Sequence, residues 1–208
     1  MVVQRRWIQG KNSMIKGIIF DLDGTLIQLP INYDVVQKNL KEFFNISKNL
    51  KPLIPTIIEL SKNDQNKIKA AFNLICKEEI LASKNFKIMD EAIEVLKFLK
   101  SKNIILCLVT MQCRLALNKI LHKMNILDLF DFLISRDENY DRFEQIQTSL
   151  KHTFLNSSEV LVIGDRIHDI ESARRSGCIP ILKLNELKKN PPFDCKIIQN
   201  LIEIKKII

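Results

Sequence analysis

Two aspartates stand two residues apart in Phe20-Asp21-Leu22-Asp23-Gly24-Thr25-Leu26, directly after the apolar run Ile15-Lys16-Gly17-Ile18-Ile19. Carboxylates so placed at the end of a buried strand repel one another, so they call for a cation, a raised pKa, or both. On a continuing strand Asp21 and Asp23 share one face. Gly24 lets the chain turn sharply after the pair, and the Thr25 hydroxyl is expected to hold that turn. Two further aspartates, Asp165 and Asp169, follow a second apolar run, Val160-Leu161-Val162-Ile163, after Gly164. Thr110 closes a third run, Ile104 to Val109. Oxygen donors without a Cys/His cluster favour Mg²⁺ over zinc.

The elements that must position these residues alternate from Asp90 onward. Helices are expected from Asp90-Glu91, over Arg114 to Lys123, over Phe143 to Thr153, from about Asp169 to Arg175, and over Leu201 to Ile208. Strands are expected at 104–109, 132–135, 160–163 and 179–182, the last at the sheet's end because Pro180 lacks a ladder donor. Continuous apolar strands alternating with helices predict a parallel sheet covered on both faces. Such a sheet gathers its ligands at the carboxyl ends of the strands, where all five polar candidates fall. Residues 31–86 break the alternation with helices only: one capped by Asp34, a short apolar piece at 57–60 after Pro52 and Pro55, and a longer one opened by Asn63-Asp64. The expected fold is therefore α/β, a Rossmann-like three-layer core over 14–30 and 87–208 with a small all-helical cap inserted at 31–86. Residues 1–13 read as a disordered extension, with Met14 as an alternative start.

The stretch Asp21-Leu22-Asp23-Gly24-Thr25 resembles the first motif of the haloacid dehalogenase superfamily. Leu108-Val109-Thr110 resembles its second, and Gly164-Asp165-Arg166-Ile167-His168-Asp169 its fourth. The place and helical character of the insert resemble the small-cap, phosphoglycolate-phosphatase-like group. The resemblance covers about residues 14–208. It implies a phosphatase in which Asp21 attacks phosphorus and Asp23 serves as acid, then base. Asp21, the backbone carbonyl of Asp23, and Asp165 would hold Mg²⁺, Asp169 would orient its water shell, and Thr110 would bind a phosphoryl oxygen. Asp23 argues for phosphoryl transfer, because dehalogenases of the superfamily do without that second aspartate. The third motif, a Lys or Arg often followed by Pro, has no clear match. Arg142 is the choice for that phosphate-facing cation, with Arg136 and Lys151 as runners-up. The implied reaction is hydrolysis of a small phosphomonoester through an aspartyl-phosphate. A phosphomutase with the same residues and a non-catalytic binding protein on the same fold are the alternatives.

Bulk properties narrow the classes further. The chain has 208 residues, 46% of them hydrophobic, and a formal charge of +8. Arg5, Arg6 and Lys11 give the first thirteen residues an excess of three, and residues 183–208 carry six lysines against three acids. Basic ends on a near-balanced body fit an anionic substrate and are not a nucleic-acid stripe. Nucleic acid is thus not an expected partner; nor is a membrane, because no apolar run approaches the roughly 18 residues a spanning helix requires, and the sequence is silent on oligomeric state. Five cysteines without C-x-x-C spacing read as free thiols of a cytoplasmic protein. His168 and Cys113 are read as helix positions outside the chemistry, Lys48 and Lys51 as cap residues within conceivable reach of a substrate carboxylate, and His122 and His152 as lacking partners.

Overall fold

The computed structural model describes residues 14–184 and 195–208; the extension expected at 1–13 lies outside them. The chain opens on β1 (Gly17–Phe20) and β2 (Ile27–Gln28) and enters three helices, α1 (Tyr33–Phe44), α2 (Leu53–Leu60) and α3 (Gln65–Ala82). It continues with β3 (Lys87–Ile88), α4 (Ala92–Ser101), β4 (Ile105–Val109), α5 (Arg114–Met124), β5 (Phe132–Ile134) and α6 (Arg142–Thr153). β6 (Val160–Gly164), α7 (Ile167–Arg175), β7 (Ile179–Lys183) and β8 (Lys196–Ile198) complete the α/β part, followed by a 3₁₀ turn at Leu201–Lys206.

Six strands pair in parallel in the order β5-β4-β1-β6-β7-β8, while β2 and β3 make a separate antiparallel ribbon. This is the three-layer α/β architecture that the alternation predicts. β1 is central because it is apolar throughout and wholly buried. Its side chains alternate between two cores, as the strand period requires. Ile18 and Phe20 pack with Leu96 and Leu99 of α4 and Leu117 and Ile120 of α5. Ile19 faces the opposite layer, with Ile146 and Leu150 of α6 and Ala173 of α7. Each fully buried side chain of this size contributes about 1.5–3 kcal/mol of transfer free energy.

The helices between β2 and β3 have a core of their own: Val36 and Leu40 of α1, Ile57 of α2, and Ile68, Phe72 and Ile75 of α3. Sequence caps mark two of their starts. Asn32 Oδ1 accepts from Val35 N–H at 3.2 Å, so α1 is capped by Asn32 and not by Asp34. Asp64 Oδ1 accepts from Asn66 N–H at 2.9 Å and opens α3.

Several expectations need correction. β7 is not the sheet's end, because β8 pairs outside it. Pro180 is tolerated there because the β7–β8 register begins only at Ile181. Ile27–Gln28 and Lys87–Ile88, for which no strand is expected, pair as the short ribbon at the two ends of the insert. The short helix expected at the end is present over Leu201–Lys206 and is of the 3₁₀ kind. The Thr25 hydroxyl is buried without a hydrogen-bond partner. Backbone bonds hold that turn instead, Gly24 N–H to Ile27 O at 2.7 Å and Leu26 N–H to Leu22 O at 2.9 Å. Cys76 and Cys113 are not free thiols: they form a disulfide across 37 residues, which joins α3 to the residue preceding α5. His152 is not without a partner, since its ring stacks on Phe132 at 4.2 Å.

Candidate active site

The aspartates reach the site from the carboxyl end of a strand or the first turn of the next helix. Asp21 follows β1, and Gly24, at φ +88°, turns the chain immediately afterwards. A side chain at Gly24 would collide with the Asp165 carboxylate, and one at Gly164 with the Asp169 carboxyl, so both glycines permit the close approach. Asp169 is the third residue of α7. Its Oδ2 accepts the Arg166 N–H at 3.1 Å, which locks the carboxylate in the helix's first turn.

Carboxylate oxygens of Asp21, Asp165 and Asp169 all lie within 4.8 Å of one another. The Asp23 carboxylate is outside that set: its Oδ1 accepts from Leu29 N–H at 2.8 Å. Arg142, at the N-terminus of α6, binds the cluster. Its Nη2 donates to Asp21 Oδ1 at 2.5 Å, and its Nε lies 3.0 Å from Asp169 Oδ1. Arg136 does not reach the cluster; its guanidinium grips Glu79 of α3 at 2.6 and 2.9 Å. Lys151 is exposed on the surface of α6. Thr110 is fully buried, with its hydroxyl donating to Gln112 Oε1. Lys48 and Lys51 are exposed and do not line the cavity beside the aspartates, whereas the half-exposed His168 does.

Some site residues are not evident from the sequence. Gln145 is fully buried and organises the Arg142 side chain: its Oε1 accepts from Arg142 Nη1 at 3.1 Å, while its Nε2 donates to Thr110 O at 2.9 Å and Asn139 O at 2.7 Å. Its signal is a polar residue three positions after Arg142, beside Ile146 on the buried face of α6. Glu79 is the carboxylate on the apolar stripe of α3, and besides Arg136 it accepts the Cys113 N–H at 2.9 Å. Lys183 counts with the basic tail in the sequence, yet it is buried at the end of β7. Burial pulls its ammonium below the lysine range, opposed by Asp165 and Asp90.

The electrostatics define what the cluster lacks. Burial pushes the Asp21 carboxyl well above the usual range; Arg142 opposes that shift, and Asp169 and Asp165 add to it. Asp165 is pushed up to about 6, chiefly by burial, against the nearby Arg166. Burial also raises Asp23, partly offset by the Leu29 N–H. The protein's own cations therefore do not neutralise this set. A divalent cation fits it: the donors are all oxygen, they converge, and Asp165 Oδ1 is buried with no hydrogen-bond partner. Asp21, Asp165 and Asp169 could hold such an ion.

The aspartates open into a cavity of about 980 Å³. Asp21, Arg142 and Arg166 lie on its sheet side, and Leu53, Ile54 and Ile58 of α2 on the other. Among the described residues no helix is long and apolar enough to cross a membrane.

Residues 18–182 match the sequence signature of the haloacid dehalogenase-like hydrolases. A Clostridium perfringens protein provisionally named pyrophosphatase PpaX is 28% identical over 202 residues, covering 86% of this chain and 92% of its own length. The crystal structure of a HAD-superfamily hydrolase from Ehrlichia chaffeensis superposes with a TM-score of 0.65 at 26% identity, over 95% of this chain and 97% of that one. A Clostridium acetobutylicum protein described as a predicted phosphatase shares the fold with a TM-score of 0.73 at 20% identity, over 94% of this chain and 99% of that one.

Proposed function

Because the chain belongs to the haloacid dehalogenase-like hydrolase family, we propose that it is a Mg²⁺-dependent phosphatase that hydrolyses a small phosphomonoester through phosphorylated Asp21. The observation that carries this reading is Arg142, which pairs with Asp21 and Asp169 inside a three-carboxylate cluster open to a cavity.

Asp21 attacks phosphorus in line with the ester oxygen, so an acyl-phosphate bond forms as the ester bond breaks. Arg142 draws charge from the attacking carboxylate and the equatorial phosphoryl oxygens, and Gln145 keeps its guanidinium aimed. Asp23, whose pKa burial raises, gives its proton to the departing alcohol. The resulting carboxylate then takes a proton from water as that water attacks the phosphorus. Phosphate leaves, Asp21 is restored, and both protons are accounted for. Mg²⁺ held by Asp21, Asp165, Asp169 and the Asp23 backbone carbonyl would neutralise the cluster and the phosphoryl oxygens. Thr110 is assigned to a phosphoryl oxygen, for which its hydroxyl must exchange Gln112 for substrate.

The helices over 33–82 serve in this reading as the cap that excludes water from the leaving-group side. The reading places the enzyme in the cytoplasm, with its substrate. Its test is phosphate release from an aryl phosphate with Mg²⁺. Release abolished by EDTA and by Asp21→Asn is the expected result. No release from that ester or from a panel of phosphorylated metabolites would overturn it. Isomerised sugar phosphate in place of free phosphate would convert the reading to a phosphomutase.

A further inference from the structure

The cavity has a division of charge that bears on what leaves. Every cationic side chain on its wall comes from the sheet side, whereas the charged residues contributed by the helical insert are both acids, Glu59 and Glu79. The remainder of the insert's wall is Tyr33 of α1, which hydrogen-bonds the sheet-side Arg166, and apolar residues led by Leu53, Ile54 and Ile58 of α2. These three are only partly buried, while their neighbour Ile57 carries the insert's own packing. Of the sheet-side arginines, Arg136 is committed to Glu79 and Arg142 to Asp21 and Asp169. Arg175 lies over the Phe143 ring at 4.4 Å.

Resting on the phosphatase reading, we propose that the substrate is a phosphomonoester whose alcohol carries a sizeable apolar or aromatic body seated against α2, and that inorganic pyrophosphate is a poor substrate. In pyrophosphate the leaving group is itself a phosphate. Its second set of anionic oxygens needs cations on the leaving side, and α2 offers apolar carbon and one carboxylate instead. Desolvating those oxygens against α2 costs free energy that no cation of α2 returns. The volume agrees with the assignment. A cavity of about 980 Å³ lies at the upper end of the range of pockets that enclose drug-sized ligands, far beyond what two phosphoryl groups fill. An aromatic alcohol, in contrast, is favoured by all the apolar area it buries. The chemistry is unchanged: the ester oxygen leaves with the Asp23 proton, and only the body attached to it is specified.

The test compares kcat/KM for 1-naphthyl phosphate, phosphoglycolate and inorganic pyrophosphate on the same Mg²⁺-supplemented protein. A preference for the naphthyl ester on the order of a hundredfold over pyrophosphate is expected from burial of one ring system. Ile58→Lys and, separately, Leu53→Lys should each shrink that preference at least about tenfold by lowering the naphthyl value and raising the pyrophosphate value. The ratio is taken within one protein, so loss of folded enzyme lowers both values together and does not imitate the shift. Preferred hydrolysis of pyrophosphate or phosphoglycolate would overturn this inference and leave the phosphatase reading intact. A preference unmoved by both lysine variants would also overturn it. Absence of turnover on all three, with a metabolite panel also silent, would overturn the phosphatase reading itself.

Discussion

Arg136 and Arg142 are six positions apart in one loop-to-helix segment, both buried, both paired with a carboxylate at 2.6 and 2.5 Å. The difference between them is the charge they face. Arg136 meets one carboxylate, Glu79, and holds it with two nitrogens; its remaining bonds go to the backbone carbonyls of Met111 and Phe72. That pair is matched one charge to one, and it fastens α3 to the loop after β5. Arg142 faces Asp21 and Asp169 with Asp165 alongside, and burial leaves Asp21 and Asp165 raised. A closed ion pair is a fastener, whereas an ion pair with surplus negative charge has room for a further cation, which is the role the proposed function gives it. Distance and burial alone do not separate the two roles.

The largest effect on stability is expected at the fastener. Arg136→Met leaves Glu79 buried without its partner and should destabilise the protein by about 3–5 kcal/mol. The double variant with Glu79→Leu should recover most of that loss in urea unfolding, and a single-variant loss below about 1 kcal/mol would contradict the assignment. Arg142→Met should spare more stability but lower kcat/KM about 10²- to 10³-fold, the range found when one aimed donor is removed. Unchanged turnover would dismiss Arg142 as the phosphate-facing cation.

Metal should separate the two arginine pairs in a second way. Mg²⁺ at a hundredfold its dissociation constant should stabilise the native protein by about 2.7 kcal/mol, read as a rise in Tm that EDTA reverses. Asp165→Asn should remove that rise, whereas Glu79→Gln should retain it, because Glu79 lies outside the Asp21–Asp165–Asp169 cluster. The smallest effect belongs to a third pair that reaches the same segment, Arg114 with Glu138, which is partly exposed. Burial tends to raise the Glu138 pKa, but hydrogen bonds from Arg114 and Ser135 outweigh it and hold it low. A depressed carboxylate contributes stability above its unfolded pKa, near 4.3, and loses it as pH falls through the folded value. Glu138→Gln should therefore cost less than about 1 kcal/mol at pH 7, and the two urea midpoints should converge below about pH 4.

The sheet core is legible in the sequence because its strands are short uninterrupted apolar runs, each followed by a residue that packing alone does not require. Asp21, Thr110, Asp165 and Asp169 announce themselves that way, and Arg142 follows from its place at the start of a helix. The fastener is not legible. Glu79 and Arg136 are 57 residues apart, and a single carboxylate on the α3 stripe has no local partner to identify it. The Cys76–Cys113 bond is hidden for the same reason, since neither cysteine has a neighbouring one in sequence. β8 escapes notice because three residues of pairing leave too short a pattern to be read as a strand.

The position of β1 has a consequence for how the enzyme comes into being. The strand that delivers Asp21 is the first of the sheet to be synthesised, yet its hydrogen-bonding neighbours begin only at residues 105 and 160. Until β4 and then β6 emerge, both edges of a wholly apolar strand are open. Pairing across such sequence distances is slow, because a long loop must close before the strands can bond. The helices of the insert, which lie close together in the sequence, can meanwhile settle around Val36, Phe72 and Ile75. Asp165 and Asp169 lie beyond residue 160, so the chain spends most of its translation as a partly folded body with an exposed aggregation-prone strand. Catalytic competence is the last property it acquires, and a chain cut short of β6 would have the insert and no site.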